Sequence, residues 1–180
     1  MDYPFMKDAL VVLLSIISFC SRTTAVNETD TGIPKVQVVR GDGEWSIRGV
    51  RNRLQLNTSD LQMTMHTKDR TWSMVPSFSG DLVVESAGQR LSVRLADAAK
   101  KDISPYQTGF KGGLKVNLAD FRHGDKKIDL EITLLICLEG PQEEMVCELM
   151  PVEKDTNILE CCWPASVSEA SFDTTVVPFM

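Results

Sequence analysis

The chain has 180 residues, of which 43% are hydrophobic and 24% are charged, and its formal net charge is −6. This length fits one domain, and this composition is typical of folded globular proteins rather than disordered or membrane-spanning ones. The negative charge argues against a nucleic-acid partner, because phosphate binding relies on clustered Lys and Arg. The pairs Lys100–Lys101 and Lys126–Lys127 are typical of solvated turn flanks.

The N-terminus predicts export. Lys7 precedes an apolar run over residues 9–20, and small residues follow up to Ala25. This order is typical of a signal peptide, so residues 1–25 are predicted to be one, cleaved after Ala25. The run is short for a bilayer span, which needs about 20 apolar residues, although an uncleaved signal anchor is the alternative. We therefore expect a secreted or extracellular protein with no stable membrane span after cleavage.

Residues 26–34 are rich in Asn, Thr, Asp and Gly and are predicted to be a flexible segment ahead of the domain at 35–180. Two N-glycosylation sequons, at Asn27 and Asn57, agree with export. Asn57 falls between two predicted strands, where a loop would accept a glycan.

The first half of the domain shows short apolar runs of period two, separated by turn residues. The predicted strands are 36–39, 44–48, 54–56, 61–66, 71–75, 82–85 and 91–95. Residues 96–101 are predicted to form one helical turn, and residues 104–113 a long Gly-rich loop that carries Tyr106 and Phe110. Another strand is predicted at 114–118.

The stretch 127–152 predicts a long hairpin. Apolar and polar residues alternate along its first strand, and a loop at 140–143 sets three apolar pairs opposite each other: Leu138 with Met145, Ile136 with Cys147, and Leu134 with Leu149. Pro141 then occupies the second position of a type I turn. A three-residue loop would instead set Ile136 against the charged Glu148, so the four-residue loop is preferred.

A last strand is predicted at 158–163, after turn residues at 153–157. Residues 172–180 are apolar with no polar tail behind them, which indicates a domain truncated at its C-terminal end. About ten to twelve short strands with almost no helix predict an all-β fold, an antiparallel β-sandwich of two packed sheets.

Four cysteines remain once Cys20 leaves with the signal peptide. The hairpin register places Cys147 on the core face and Cys137 on the outer surface. If the last strand pairs with the second hairpin strand, Cys161 lies opposite Cys147. A disulfide between Cys147 and Cys161 is therefore the hypothesis, with buried free thiols as the alternative.

No residue pattern predicts catalysis, a cofactor or a metal site. His66 and His123 are far apart in sequence and belong to no nucleophile motif. The acidic residues of the hairpin fall on its polar face, which accounts for them. Exposed aromatic rings would bind sugars by stacking, and Tyr106 and Trp72 are the candidates, with core or rim packing as the alternative.

Three successive segments, Asn52–Leu56, Leu61–His66 and Lys68–Pro76, give the order of strand, strand, polar turn and returning aromatic. This order resembles the N-terminal β-supersandwich, or galactose-mutarotase-like domain, that precedes the catalytic barrel in several large secreted glycoside hydrolases. The resemblance spans residues 50–180 and lies in pattern and order. It implies a non-catalytic sandwich with a catalytic domain beyond Met180, and it carries over no catalytic residue. The alternative is a free-standing secreted sandwich that binds a glycan or a protein partner.

Overall fold

Residues 34–167 are described by the structure, a computed structural model. The predicted signal peptide, the sequon at Asn27 and the apolar segment 172–180 lie outside these residues, as does the predicted flexible segment apart from its last residue. The described chain contains fourteen β-strands and one short 3-10 helix. Within the described residues, no helix is long and apolar enough to cross a bilayer.

The first five strands form an antiparallel meander, in which each strand pairs with the next along the chain. Their apolar residues alternate with polar ones, so one face of this sheet is buried. The strands are β1 (Gln37–Arg40), β2 (Glu44–Arg48), β3 (Arg53–Asn57), β4 (Met63–His66) and β5 (Thr71–Ser73).

A three-stranded sheet follows, with β14 (Thr156–Cys161) beside β6 (Leu82–Ser86) and β7 (Gln89–Val93). The strands predicted at 82–85 and 91–95 correspond to the β6–β7 hairpin, whose turn consists of Ala87 and Gly88, both with positive φ, as a tight hairpin requires. A 3-10 helix at Leu95–Asp97 falls at the start of the predicted helical turn. The last strand does not meet the condition of the disulfide hypothesis, which was pairing with the second hairpin strand, because β14 pairs with β6.

The remaining strands are β8 (Lys100–Gln107), β9 (Lys111–Ala119), β10 (Phe121–His123), β11 (Lys126–Ile128), β12 (Leu130–Glu139) and β13 (Glu144–Glu153). The long hairpin is β12–β13, and it belongs to a four-stranded sheet of order β13-β12-β9-β8. Its register is the predicted one, with Ile136 opposite Cys147, and Gly140 accepts the turn hydrogen bond from the Glu143 amide at 3.2 Å. A small separate hairpin, β10–β11, precedes it.

The predicted long loop at 104–113 is wrong, because β8 and the start of β9 occupy it. Pro105 is tolerated since β8 is an edge strand, where a missing N–H breaks no ladder. Gly113 lies inside β9 because a Cβ there would collide with the carbonyl oxygen of Ile136. Pro105 and Gly113 thus lie in strands, although Pro and Gly in a sequence usually indicate a loop.

One hydrophobic core joins all of the sheets. The meander contributes residues such as Ile47 and Leu54, the three-stranded sheet Leu82, and the four-stranded sheet Leu114 and Ile136, all 0% exposed. The all-β class and the antiparallel sandwich are therefore confirmed, with fourteen strands in the described part rather than ten to twelve.

Candidate functional site

The outer face of the four-stranded sheet carries the predicted sugar-contacting residue Tyr106. The strand registers place Tyr106, Gly113, Cys137 and Val146 side by side across this face. Gly113 is buried, and the Ile136 carbonyl fills the space that its Cβ would take, so the half-buried Tyr106 side chain borders close-packed backbone. The prediction placed Tyr106 in a loop, whereas it projects from a strand that fixes its position.

A charged pair crosses the same face. Lys111 lies opposite Glu139, while Glu148 lies opposite Leu135, so the bonded Lys111 and Glu148 side chains span the sheet over Cys137. Burial lowers the pKa of Lys111, but the hydrogen bond and charge of Glu148 outweigh it, and the net pKa is raised. Lys111 is therefore a fixed cation, although it is only 7% exposed.

This pair explains why the surface position predicted for Cys137 is wrong. Cys137 does lie on the outer face, but it is 0% exposed beneath neighbouring side chains. Burial raises the pKa of its thiol to about 11, even though the nearby Lys111 acts in the opposite direction. Period-two alternation assigns a residue to a face, and long side chains such as Lys111 can still cover it.

Phe110 extends this face at the β8–β9 turn. Its ring is 52% exposed, and the Lys111 Nζ lies 5.7 Å from the ring centroid, within the range of a cation–π contact. The outer face is hereafter the surface formed by Tyr106, Phe110, Lys111, Gly113 and Glu148. It combines two aromatic rings and an ion pair.

A buried carboxylate organises the loops beside the outer face. The Glu143 side chain, in the hairpin tip, accepts hydrogen bonds from the backbone amides of Val50 at 2.5 Å, Arg51 at 2.8 Å and Asn52 at 2.7 Å. The Gly140 amide donates to the Phe110 carbonyl at 2.9 Å, so the tip also contacts the β8–β9 turn. The sequence gives no local signal for this role, because the amides lie 91 to 93 residues from Glu143.

A second buried carboxylate, Asp81, is 0% exposed. It accepts hydrogen bonds from the Ser77 hydroxyl, from the Phe78 amide at 3.2 Å and from the Leu95 amide at 2.9 Å. Ser77 in turn accepts the Ala96 amide at 2.9 Å. This network fixes the connection between β5 and β6, which also forms one wall of a groove.

The groove has a volume of about 810 Å³ and lies between residues 75–78 and 161–166. The Val75 amide donates to the Ser166 carbonyl at 3.0 Å, which joins the two walls. Phe78 lines it with its ring 43% exposed, and Cys161 and Cys162 both contribute. The groove is shallow and mainly apolar, and it contains no ionised side chain among its lining residues.

The two predicted sugar-binding residues do not come together. Trp72 lies opposite Met65 in the meander, in the row that continues through Leu54 and Ile47 to the core. It is half-buried on the inward face of another sheet, while Tyr106 lies on the outer face. Trp72 therefore follows the packing alternative, and Tyr106 alone remains a candidate for ligand contact.

The glycosylation candidate Asn57 is exposed at the end of β3. Its side-chain oxygen accepts hydrogen bonds from the Ser59 amide at 2.8 Å and from the Ser59 hydroxyl at 2.7 Å. Asn and the hydroxyl residue of the sequon thus lie in contact in an accessible turn. Modification of Asn57 stays a prediction that this position permits.

The four cysteines of the described residues are free thiols. Cys147 packs in the core, where burial raises its pKa to about 12, and Cys161 lies opposite Leu82 in β14. The strand pairing that would have set Cys161 against Cys147 is wrong, so the geometric reason for that disulfide is gone. The disulfide stays a prediction, and the arrangement favours the thiol alternative.

His66, in β4, contacts the Thr71 hydroxyl at 3.0 Å and the Gln55 amide oxygen at 2.6 Å within the meander. Residues 34–167 contain no group of three or more His, Cys, Asp or Glu side chains arranged to hold a metal ion.

Comparisons of the chain with protein families, with curated proteins and with solved structures found no match.

Proposed function

We propose that this chain is the non-catalytic β-sandwich of a secreted carbohydrate-active enzyme, and that it contacts sugar through the outer face. The observation that carries the proposal is that the half-buried Tyr106 and the exposed Phe110 both belong to the outer face. A pyranose ring stacks its apolar face on an aromatic ring of this kind. Lys111 and Glu148 supply charged hydrogen-bonding groups at the edge of the same surface.

The bonding of the acidic residues supports binding rather than hydrolysis. Glycoside hydrolysis uses two carboxyl groups across a cleft, one of them protonated in an apolar setting. Glu148 is paired with Lys111, and Asp81 and Glu143 accept hydrogen bonds from the backbone. These three carboxyl groups therefore hold the fold together. The resemblance of residues 50–180 to the supersandwich supports the enzyme context and a catalytic domain that follows.

Glycan-array screening of the secreted chain, followed by titration calorimetry on the best ligand, tests this proposal. Tyr106→Ala should weaken binding by up to about tenfold, because one aromatic contact contributes roughly 0.5–1.5 kcal/mol beyond its buried area. Phe78→Ala is the matched control, since Phe78 is another exposed ring but lies in the groove. The proposal fails if no glycan binds, or if both substitutions weaken binding equally.

A second candidate is recognition of a protein partner by the loop end of the sandwich. Val50 is 80% exposed and Phe110 is 52% exposed, and the hairpin tip holds the loop of Val50 through Glu143 and the turn of Phe110 through the Gly140 amide. Rigid loops with exposed apolar residues are typical of protein-binding sites. Val50→Asp separates the two functions, because it would abolish partner binding in a pull-down with the identified partner and leave glycan titration unchanged.

A further inference from the structure

We infer that the β2–β3 loop, residues 49–52, is a carboxylate-binding site and that the chain fills it with its own Glu143 side chain. The inference rests on the contacts between two turns and is independent of the proposed sugar binding. Its ligand class is a small carboxylate, because a Glu side chain already occupies the site. The same contact locks the tip of the long hairpin to the five-stranded meander.

The loop has the form of an anion nest. Three successive backbone amides, those of Val50, Arg51 and Asn52, point at one carboxylate, with donor–acceptor distances of 2.5, 2.8 and 2.7 Å. The first donates to Oε1 and the other two donate to Oε2 of Glu143. Converging N–H groups of this kind bind anions in many loops, since their partial positive charges add at one point.

The loop holds its shape without help from Glu143. The Gly49 amide donates to the Asn52 carbonyl at 2.8 Å, which closes the turn within the loop itself. A Cβ at Gly49 would collide with the Glu143 carboxylate, so glycine leaves the space that the anion occupies. The binding site is therefore preformed, and we expect it to persist when the internal ligand is removed.

The ligand side is also closed independently. The Glu143 amide donates to the Gly140 carbonyl at 3.2 Å, which forms the hairpin turn. Glu143 has a φ of 56°, in the left-handed region that non-glycine residues avoid, and it is only 3% exposed. The contact with the nest compensates for this strain and for the loss of water around the carboxylate.

The hairpin tip thus connects three loops through one anionic contact and one backbone hydrogen bond. The tip contacts the β2–β3 loop through Glu143 and contacts the β8–β9 turn through the bond from Gly140 to Phe110. The Asn52 side-chain amide adds a bond to the Glu143 carbonyl at 3.0 Å. Removal of the carboxylate should free the amides of Val50, Arg51 and Asn52, while the side-chain bonds of Arg51 and Asn52 to the tip remain and each turn stays formed.

Hydrogen exchange measured by NMR on the folded chain tests this site. In Glu143→Ala, the amides of Val50, Arg51 and Asn52 should exchange at least about tenfold faster, because their acceptor is gone. Added sodium formate should restore protection of these amides, while sodium chloride at equal ionic strength should not. Gln142→Ala is the matched control, because its side chain bonds the Arg51 guanidinium and none of the three amides.

Two results would overturn the inference: unchanged exchange at the three amides in Glu143→Ala, or equal restoration by formate and chloride. If Glu143→Ala fails to fold, Glu143→Gln provides the test. Its amide keeps one acceptor oxygen but sets an NH₂ donor against the nest, so protection should fall to an intermediate level. Wild-type protection in Glu143→Gln would show that the loop needs no carboxylate.

Discussion

Asp81 and Glu143 are two buried carboxylates that satisfy backbone amides in different ways. Asp81 takes its donors from residues within 14 positions along the chain, including the Leu95 amide. Glu143 takes all three of its amide donors from a loop 91 to 93 positions away. Asp81 thus fixes a local connection between two strands, whereas Glu143 ties together distant turns of two sheets.

The surroundings of the donors differ as well. Leu95 and Ser77, which bond Asp81, are 0% and 7% exposed, so water cannot replace the carboxylate there. The donors to Glu143 lie in a loop whose Val50 is 80% exposed, and water can reach their amides once the carboxylate is gone. Two carboxylates with the same number of hydrogen bonds can therefore stabilise the fold by different amounts, because the cost of losing an acceptor depends on access to water.

Asp81→Ala should have the largest effect. The Ser77 hydroxyl and the Leu95 amide lose their acceptor in a dry site, where each unsatisfied group costs about 1–3 kcal/mol, and the Phe78 amide loses it at the exposed rim. We expect the free energy of unfolding to fall by roughly 3–5 kcal/mol, measured by urea denaturation. A loss below about 1 kcal/mol would remove the distinction between the two carboxylates.

Glu143→Ala should cost less, about 1–3 kcal/mol, because solvent hydrates the released amides. Gly49→Ala should disrupt the same contact from within the β2–β3 loop, since its Cβ would displace the Glu143 carboxylate. In a thermodynamic cycle, the double variant should therefore be only slightly less stable than the less stable of the two single variants. Fully additive losses would mean that Gly49 and Glu143 stabilise the fold independently.

Cys147 adds a third buried ionisable group to the comparison, a thiol whose charged form is disfavoured by burial. Burial, then the nearby Cys137 and Glu148, raise its pKa from 9.0 to about 12 in the folded protein. The folded state therefore holds this proton more tightly, so its contribution to stability is full below pH 9 and is lost between pH 9 and about 12. Stability should fall from pH 8 to pH 10 less steeply in Cys147→Ala than in wild type.

The control for this experiment is Cys162→Ala, because Cys162 is an exposed thiol. Its slope between pH 8 and pH 10 should match that of the wild type, and both variants are compared with the wild type at each pH. Equal slopes in all three proteins would contradict the raised pKa of Cys147. This effect is the smallest of the three, since pH 10 lies only about one unit above the ordinary thiol pKa of 9.0, which limits the loss to about 1.4 kcal/mol.

Local pattern predicted much of the fold and little of the candidate site. Alternation along 127–152 predicted the hairpin register because a slip of one residue would expose a whole apolar face. The same logic failed for Tyr106, since Pro105 and Gly113 resemble loop signals and only an edge strand and a close strand contact explain them. Burial of Cys137 was missed because it depends on the long side chains that surround it.

The sequence by itself determined that the protein is a stack of antiparallel strands, since period-two hydrophobicity and turn residues act over a few positions. Only the tertiary structure decided that β14 pairs with β6 and that Glu143 occupies the β2–β3 loop. Strand order and long-range hydrogen bonds join groups that are distant along the chain, and no local periodicity encodes which distant amides a turn carboxylate meets. Glu143 therefore looks like an ordinary turn residue until its partners are in place.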